Sequence, residues 1–290
     1  MPAPFVPSCA RFKHSQGAPM KFRIIVLFVC TPLVRAGVVQ PPVPAPQLLI
    51  PAAGNTAGAS GTFFRSDITL VNFANHDQIV RLQWLPQGIS SSASKMITLS
   101  AQGWIRSLDF VGDYLGQTGL GAIVITGIMS AGDIDPTATL FATTRIWTLQ
   151  PGSSATTSQT FPAVPVASIN SPSAALFGVG GKGNYRENIG IVNLDPINAQ
   201  TFEVGNPLSG PIPFAPLVIT VPPMSMQQTL LGSGDNTFGV LELIIANVTG
   251  SATRSNSWVA YGSTVDNFSG DAWSELAVVG APTFCCAPIG

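Results

Sequence analysis

Phe64-Arg65-Ser66-Asp67-Ile68-Thr69-Leu70-Val71-Asn72-Phe73 returns 121 residues later as Tyr185-Arg186-Glu187-Asn188-Ile189-Gly190-Ile191-Val192-Asn193-Leu194. Four of the ten positions are identical, and most of the others exchange like for like. A repeat sets the unit of folding, so it is read before anything else. Ile97-Thr98-Leu99 answers Ile219-Thr220-Val221 at an offset of 122. Gly121-Ala122-Ile123-Val124-Ile125 answers Gly239-Val240-Leu241-Glu242-Leu243 at 118, and Phe161-Pro162-Ala163 lies opposite Val279-Gly280-Ala281 at the same offset. The order is kept and the offset drifts by a few residues, as loop insertions produce. The chain therefore reads as two homologous domains, residues 48–167 and 168–282.

Each unit reads as short β-strands. In Ile79-Val80-Arg81-Leu82-Gln83-Trp84, Val80, Leu82 and Trp84 point one way and Ile79, Arg81 and Gln83 the other. A period of two marks a half-buried strand, which places Trp84 in the core. Residues 122–128 and 241–246 are more continuously apolar and read as central strands. The first unit divides into strands near 64–73, 79–85, 96–99, 103–110, 121–128, 138–148 and 157–161, with turn signals such as Leu85-Pro86-Gln87-Gly88 between them. Seven strands in roughly 100 residues without a helix is the arithmetic of an all-β, antiparallel β-sandwich. An up-and-down barrel is the alternative.

Composition agrees. The chain of 290 residues is 46% hydrophobic and only 9% charged, against roughly 25% charged in an average soluble chain. Gly and Pro supply 54 residues, 29 and 25 respectively, so nearly every segment is punctuated. Coiled coils, charged disordered chains and basic nucleic-acid binders are excluded.

Residues 1–36 read as a signal segment. Lys21 and Arg23 precede the apolar run Ile24 to Cys30, and Val34-Arg35-Ala36 suits cleavage before Gly37. The run is about 11 residues, too short for the ~20 of a membrane helix. Met20 alone opens a complete signal peptide, so it is a candidate true start. The segment holds five of the 13 basic residues and none of the 14 acids, which leaves 8 basic against 14 acidic, net −6. Such a chain has no membrane span and does not attract nucleic acid or anionic lipid. Residues 37–47 read as a stiff Pro-rich leader and 283–290 as a C-terminal tail. That tail holds Cys285 and Cys286, which are frayed, paired with another chain or a vicinal redox pair, so the folded body has no disulfide framework.

The Phe64-Arg65-Ser66-Asp67 start, the strand ending at Asn72 and the following Val80-Arg81-Leu82-Gln83-Trp84-Leu85-Pro86 resemble repeat modules of bacterial exported proteins. Those modules are immunoglobulin-like sandwiches, mostly without assigned activity. The second unit departs from the pattern at Glu187 and Asn188. The resemblance implies a secreted, periplasmic or cell-surface location and a non-catalytic role, and it carries over no catalytic residue.

The candidate sites are sparse. Arg65 and Asp67 lie two apart on one strand face, where they either pair or grip a ligand carboxylate. Arg65 recurs as Arg186, which also fits a structural network. Gly178-Val179-Gly180-Gly181-Lys182-Gly183 lacks the Ser or Thr and the helix of a phosphate loop. Ser92-Ala93-Ser94-Lys95 lacks the partner motifs of the penicillin-binding enzymes. His76 is the only histidine beyond residue 36, so a Ser-His-Asp triad or a zinc site has little to be built from. Asp133 and Asp135 are weak calcium candidates, short of the 6–8 oxygens calcium takes. Trp104 and Trp147 have no counterpart Trp in the second unit and, if exposed, suit stacking on sugar faces. The expectation is a non-enzymatic, cofactor-free envelope or extracellular scaffold or adhesion protein whose partner is a protein or glycan surface. A carbohydrate-binding module is the alternative, and a carboxylate-based glycan hydrolase comes third.

Overall fold

The computed structural model describes residues 43–58, 61–91, 93–179, 185–205, 217–232 and 241–279. The signal segment, Ser92, residues 180–183 of the Gly-rich stretch, Cys285, Cys286 and the C-terminal tail lie outside them. Within them the chain is all-β. Its strand ladders are antiparallel, and helical structure is confined to short turns such as Phe110–Tyr114 and Val166–Ser168.

The first half carries β1 (Gln47–Ala57), β2 (Phe63–Asn72), β3 (Gln78–Pro86), β4 (Ser94–Leu99), β5 (Trp104–Ser107), β6 (Gly119–Ile128), β7 (Leu140–Leu149), β8 (Thr156–Pro162) and β9 (Val164–Pro165). The second carries β10 (Ser173–Val179), β11 (Tyr185–Asn193), β12 (Gln200–Gly205), β13 (Leu217–Val221), β14 (Ser225–Gly232), β15 (Leu241–Asn247), β16 (Trp258–Asp266), β17 (Ala272–Leu276) and β18 (Val278–Val279). In the second half one sheet runs β13-β12-β15-β10-β18 and the other β14-β11-β16-β17. The first half repeats this pairing strand for strand as β4-β3-β6-β1-β9 and β5-β2-β7-β8. There the two leaves join into one nine-stranded sheet, because β1 and β2 also pair at Thr56–Phe64 and Ala57–Phe63.

In each half the inner faces of the two leaves share an apolar core. Leu48, Ile50, Leu82, Trp84 and Ile125 meet Ile68, Leu70 and Leu140 in the first. Leu176, Phe202, Val204 and Ile245 meet Ile189, Ile191 and Trp258 in the second. Trp84 is buried, as the alternation of β3 requires. A third core joins the halves: Leu49, Leu85, Ala122, Val124 and Phe161 pack on Val192, Met226 and Tyr261. This accounts for the continuous apolar run of β6. Ile123 and Ile125 face the first core while Ala122 and Val124 face the second half, so both faces are covered. The described residues form a single compact unit.

The recurring asparagines do more than end their strands. The Asn72 amide donates to the carbonyls of His76, Leu99 and Ser100 at 2.9, 3.5 and 3.0 Å, and its Oδ1 accepts from Ala74 N at 3.0 Å. The Asn193 amide donates to the carbonyls of Asn198, Val221 and Pro222 at 3.0–3.1 Å, and its Oδ1 accepts from Asp195 N at 2.9 Å. Both are fully buried. Each ties the turn after its own strand to the end of another through buried hydrogen bonds to backbone carbonyls.

The leader expected at 37–47 is in part laid into the fold. Ala45 exchanges backbone hydrogen bonds with Leu140, and Pro46 O accepts from Gly127 N. The strand expected at 103–110 stops at Ser107. Beyond it Asp109 accepts from Gly112 N at 3.1 Å and caps the turn Phe110–Tyr114.

Candidate functional site

The outer face of β5-β2-β7-β8 brings four of the singled-out residues together. On β2 the side chains of Arg65, Asp67, Thr69 and Val71 alternate onto this face. Across the ladders Val71 stands opposite Trp104, Thr69 opposite Arg106, Asp67 opposite Arg145 and Arg65 opposite Trp147. Arg65, Asp67, Trp104 and Trp147 therefore share one surface.

Arg65 and Asp67 do not pair with each other. Asp67, only 7% exposed, accepts from Arg106 through both oxygens, from Nε at 2.9 Å and Nη2 at 2.7 Å, with Arg145 Nη2 at 3.5 Å. The Asp67 carboxylate is instead reached by guanidinium groups from the two flanking strands. Arg106 thus gains a planar two-point contact, and the hydrogen bonds and charge of Asp67 raise its pKa. Arg65 lies over the rings of Phe63 and Trp147, at 4.7 and 5.7 Å, with Asp109 Oδ2 at 3.5 Å. Trp147 is half-buried and donates its indole N–H to Leu108 O at 2.9 Å. Trp104 is 65% exposed. The two Trp are six residues apart along β2, about 20 Å at the rise of a strand, with the Arg106–Asp67–Arg145 row between them.

Sequence reasoning did not single out Arg106 or Arg145. Nothing local marks them, since they reach Asp67 from strands 39 and 78 residues away in the chain. Asp133 and Asp135 lie elsewhere, in the turn between β6 and β7. Asp135 Oδ1 accepts from the Thr137 N–H and hydroxyl at 2.9 and 2.6 Å, which lowers its pKa. Among the described residues no three His, Cys, Asp or Glu side chains converge. His76 is exposed beside Asn75 in a turn. Lys95 donates to Tyr114 O.

The second half has the same face on β14-β11-β16-β17, where Arg186, Asn188, Gly190 and Val192 alternate along β11. Gly190 stands opposite Gln228 and Tyr261, and Asn188 opposite Ser263. The first half covers this face. Gln159 donates to Thr264 O at 3.0 Å and accepts from the Ser263 hydroxyl at 2.9 Å. The Ser274 hydroxyl donates to Thr160 O at 2.6 Å, the Ser225 hydroxyl to Pro86 O at 2.8 Å, and Gly88 N to Met226 O at 2.8 Å. Thr157 also donates to Gly270 O.

No helix among the described residues is long and apolar enough to cross a membrane. No protein-family model and no curated protein matches the chain. Among solved structures it is similar to a domain described as "Biofilm associated protein - BSP domain", at 9% identity and a TM-score of 0.19, covering 83% of this chain and 61% of that one. It is also similar to "Biofilm associated protein - B domain", at 9% identity and a TM-score of 0.20, covering 81% of this chain and 86% of that one. Likenesses of that size define neither the fold nor the function of this chain.

Proposed function

We propose that the chain is an exported, non-catalytic scaffold or adhesion protein of the cell envelope or extracellular space. In this reading two duplicated immunoglobulin-like β-sandwich modules, residues 48–167 and 168–282, present one open sheet face to a partner surface. The observation that carries it is the contrast between equivalent faces. The second half buries this face under its neighbour, whereas the first half leaves it open and furnishes it with Trp104, Arg106, Arg145 and Trp147. The apolar junction fixes the geometry of that face, as a binding surface needs. The partner is a protein or glycan surface bearing carboxylates. Three of the eight basic residues beyond Gly37 stand here, on a chain that is otherwise acidic. Arg is also the side chain suited to planar recognition of carboxylate.

A second reading, carbohydrate binding through aromatic platforms, is favoured by the exposure of Trp104. Its separation from Trp147 would set the two rings on different sugar units.

The test is retention of the chain from Gly37 onward on a polyuronate and on its neutral counterpart, with and without calcium. Retention on the polyuronate, weakened about tenfold by Arg106→Gln combined with Arg145→Ser, is expected, equivalent to about 1.4 kcal/mol. Retention on the neutral polymer that is lost in Trp104→Ala would favour the second reading. Cleavage of either polymer would overturn the non-catalytic assignment.

A further inference from the structure

The covered face of the second half is not sealed along its whole length. At one end Val192, Met226 and Tyr261 lie in the core between the halves. At the other end Arg186, Asn188, Gln228 and Ser263 line a cleft of about 580 Å³, with Phe64 and Gln159 of the first half on its other side. Clefts of that volume at the meeting of two packed units are where small ligands are usually held. The loop Asp266–Gly270 between β16 and β17 borders it.

The polar groups at the cleft are mostly neutral, and several have capacity to spare. The Asn188 amide has no protein partner among the described residues. Gln228 accepts from the Tyr261 hydroxyl at 2.9 Å through Oε1 and keeps its NH2 donors. The Ser263 hydroxyl donates to Gln159 and keeps its lone pairs. The two charged groups at the cleft, Arg186 and Asp266, are opposite in sign, and each is held by neutral partners. Arg186 donates to Asn267 Oδ1 at 2.7 Å. Asp266 accepts from Phe268 N and from the Ser269 hydroxyl, both at 2.8 Å. These bonds shape the loop so that Phe268 stands 80% exposed on it.

We infer that this cleft is a binding site for a neutral oligosaccharide. Carboxamides give paired donors and acceptors to neighbouring sugar hydroxyls. A phenyl ring covers the apolar C–H face of the same sugar. Arg186 and Asp266 bring one charge of each sign to the cleft, so a charged ligand would meet a like charge as well as an opposite one.

The site is separate from the open face, so the two are tested apart. The probes are maltohexaose, cellohexaose and chitohexaose, with a hexauronate as the charged comparator. Each is titrated by NMR into the chain from Gly37 onward, within the single compact unit. At least one neutral probe saturates at millimolar concentration or below and shifts the Asn188 side-chain amide. Phe268→Ala weakens it about tenfold, equivalent to about 1.4 kcal/mol, Asn188→Ala does likewise, and Ile197→Ala, exposed and away from the cleft lining, leaves it unchanged. Phe268 is exposed, so its removal leaves the fold intact and a lost response reads as lost binding. Failure of all three neutral probes to saturate overturns the inference, as does binding that survives both cleft variants or a preference for the hexauronate.

Discussion

The two equivalent sheet faces of this chain meet opposite fates, and their residues differ accordingly. Where β2, β5 and β7 carry Asp67, Arg106 and Arg145, the matching positions of β11, β14 and β16 carry Asn188, Gln228 and Ser263. Where the open face has Thr69, Thr143 and Trp104, the covered one has Gly190, Tyr261 and Met226. Water solvates a charge on an open sheet, but burial strips that solvation, so at these positions the covered copy keeps hydrogen-bonding groups without the charge, while Arg186 at the cleft retains it. The lesson is that two equivalent sheets of one chain carry different residues according to whether their face is covered or open.

The largest expected effect comes from giving the covered face the open face's residue. A Cβ at position 190 would collide with the Tyr261 ring. Gly190→Thr should cost about 3 kcal/mol by overpacking, read as a lowered urea midpoint. The mirror change Thr69→Gly should cost about 1 kcal/mol, through backbone entropy alone. Equal costs would break the contrast between the faces.

The buried asparagines sharpen the comparison from the opposite side, because their bonding is shared. Asn72→Ala and Asn193→Ala each remove buried side-chain hydrogen bonds to three backbone carbonyls and one backbone N–H. Each should cost about 2 kcal/mol by leaving buried polar groups unsatisfied. Chemical unfolding that separated the two variants widely would show that the halves depend on the motif unequally.

On the open face itself, Arg106→Gln installs the residue of the covered twin. It removes the two-point contact to Asp67, but Arg106 is half exposed. The loss should be small in the same assay, because solvent screens the exposed guanidinium. A cost of several kcal/mol would mean that the face is structural rather than presented.

The smallest effect concerns the loop beside the cleft. Hydrogen bonds from Phe268 N and the Ser269 hydroxyl lower the pKa of Asp266. Its ionised form therefore orders the loop above the usual carboxylate range, and that order is lost as pH falls through the lowered value. Carboxyl NMR shifts should titrate below the ordinary Asp range, with exchange of the Phe268 amide speeding up over the same interval. A normal Asp titration would remove the loop's ordering device.

Part of this was legible along the chain. Alternation marked β3, with Trp84 inward, and the recurring phrase placed β2 and β11. The first strand was not legible, because Pro51 and Gly54 interrupt Gln47–Ala57. The fold accommodates them by an irregularity in the β1–β6 register between Ile50 and Ala53, where a Pro without an N–H does no harm. The open face was half legible. Trp104 and Trp147 stood out by lacking counterparts, while Arg106 and Arg145 stood out by nothing in their own neighbourhoods. Reading the two copies against each other position by position would have found them, as charges exchanged for Gln and Ser.

The sequence by itself determined the β character, the internal repetition and which side chains share a strand face. These follow from local periodicity and from matches along one chain. Only the tertiary structure decided which of the two equivalent faces is covered and which is left open. That choice rests on contacts such as Ser225 with Pro86 and Ser263 with Gln159, between residues 139 and 104 apart in sequence. Such contacts form when two completed sheets dock, and no run of neighbouring residues encodes their pairing.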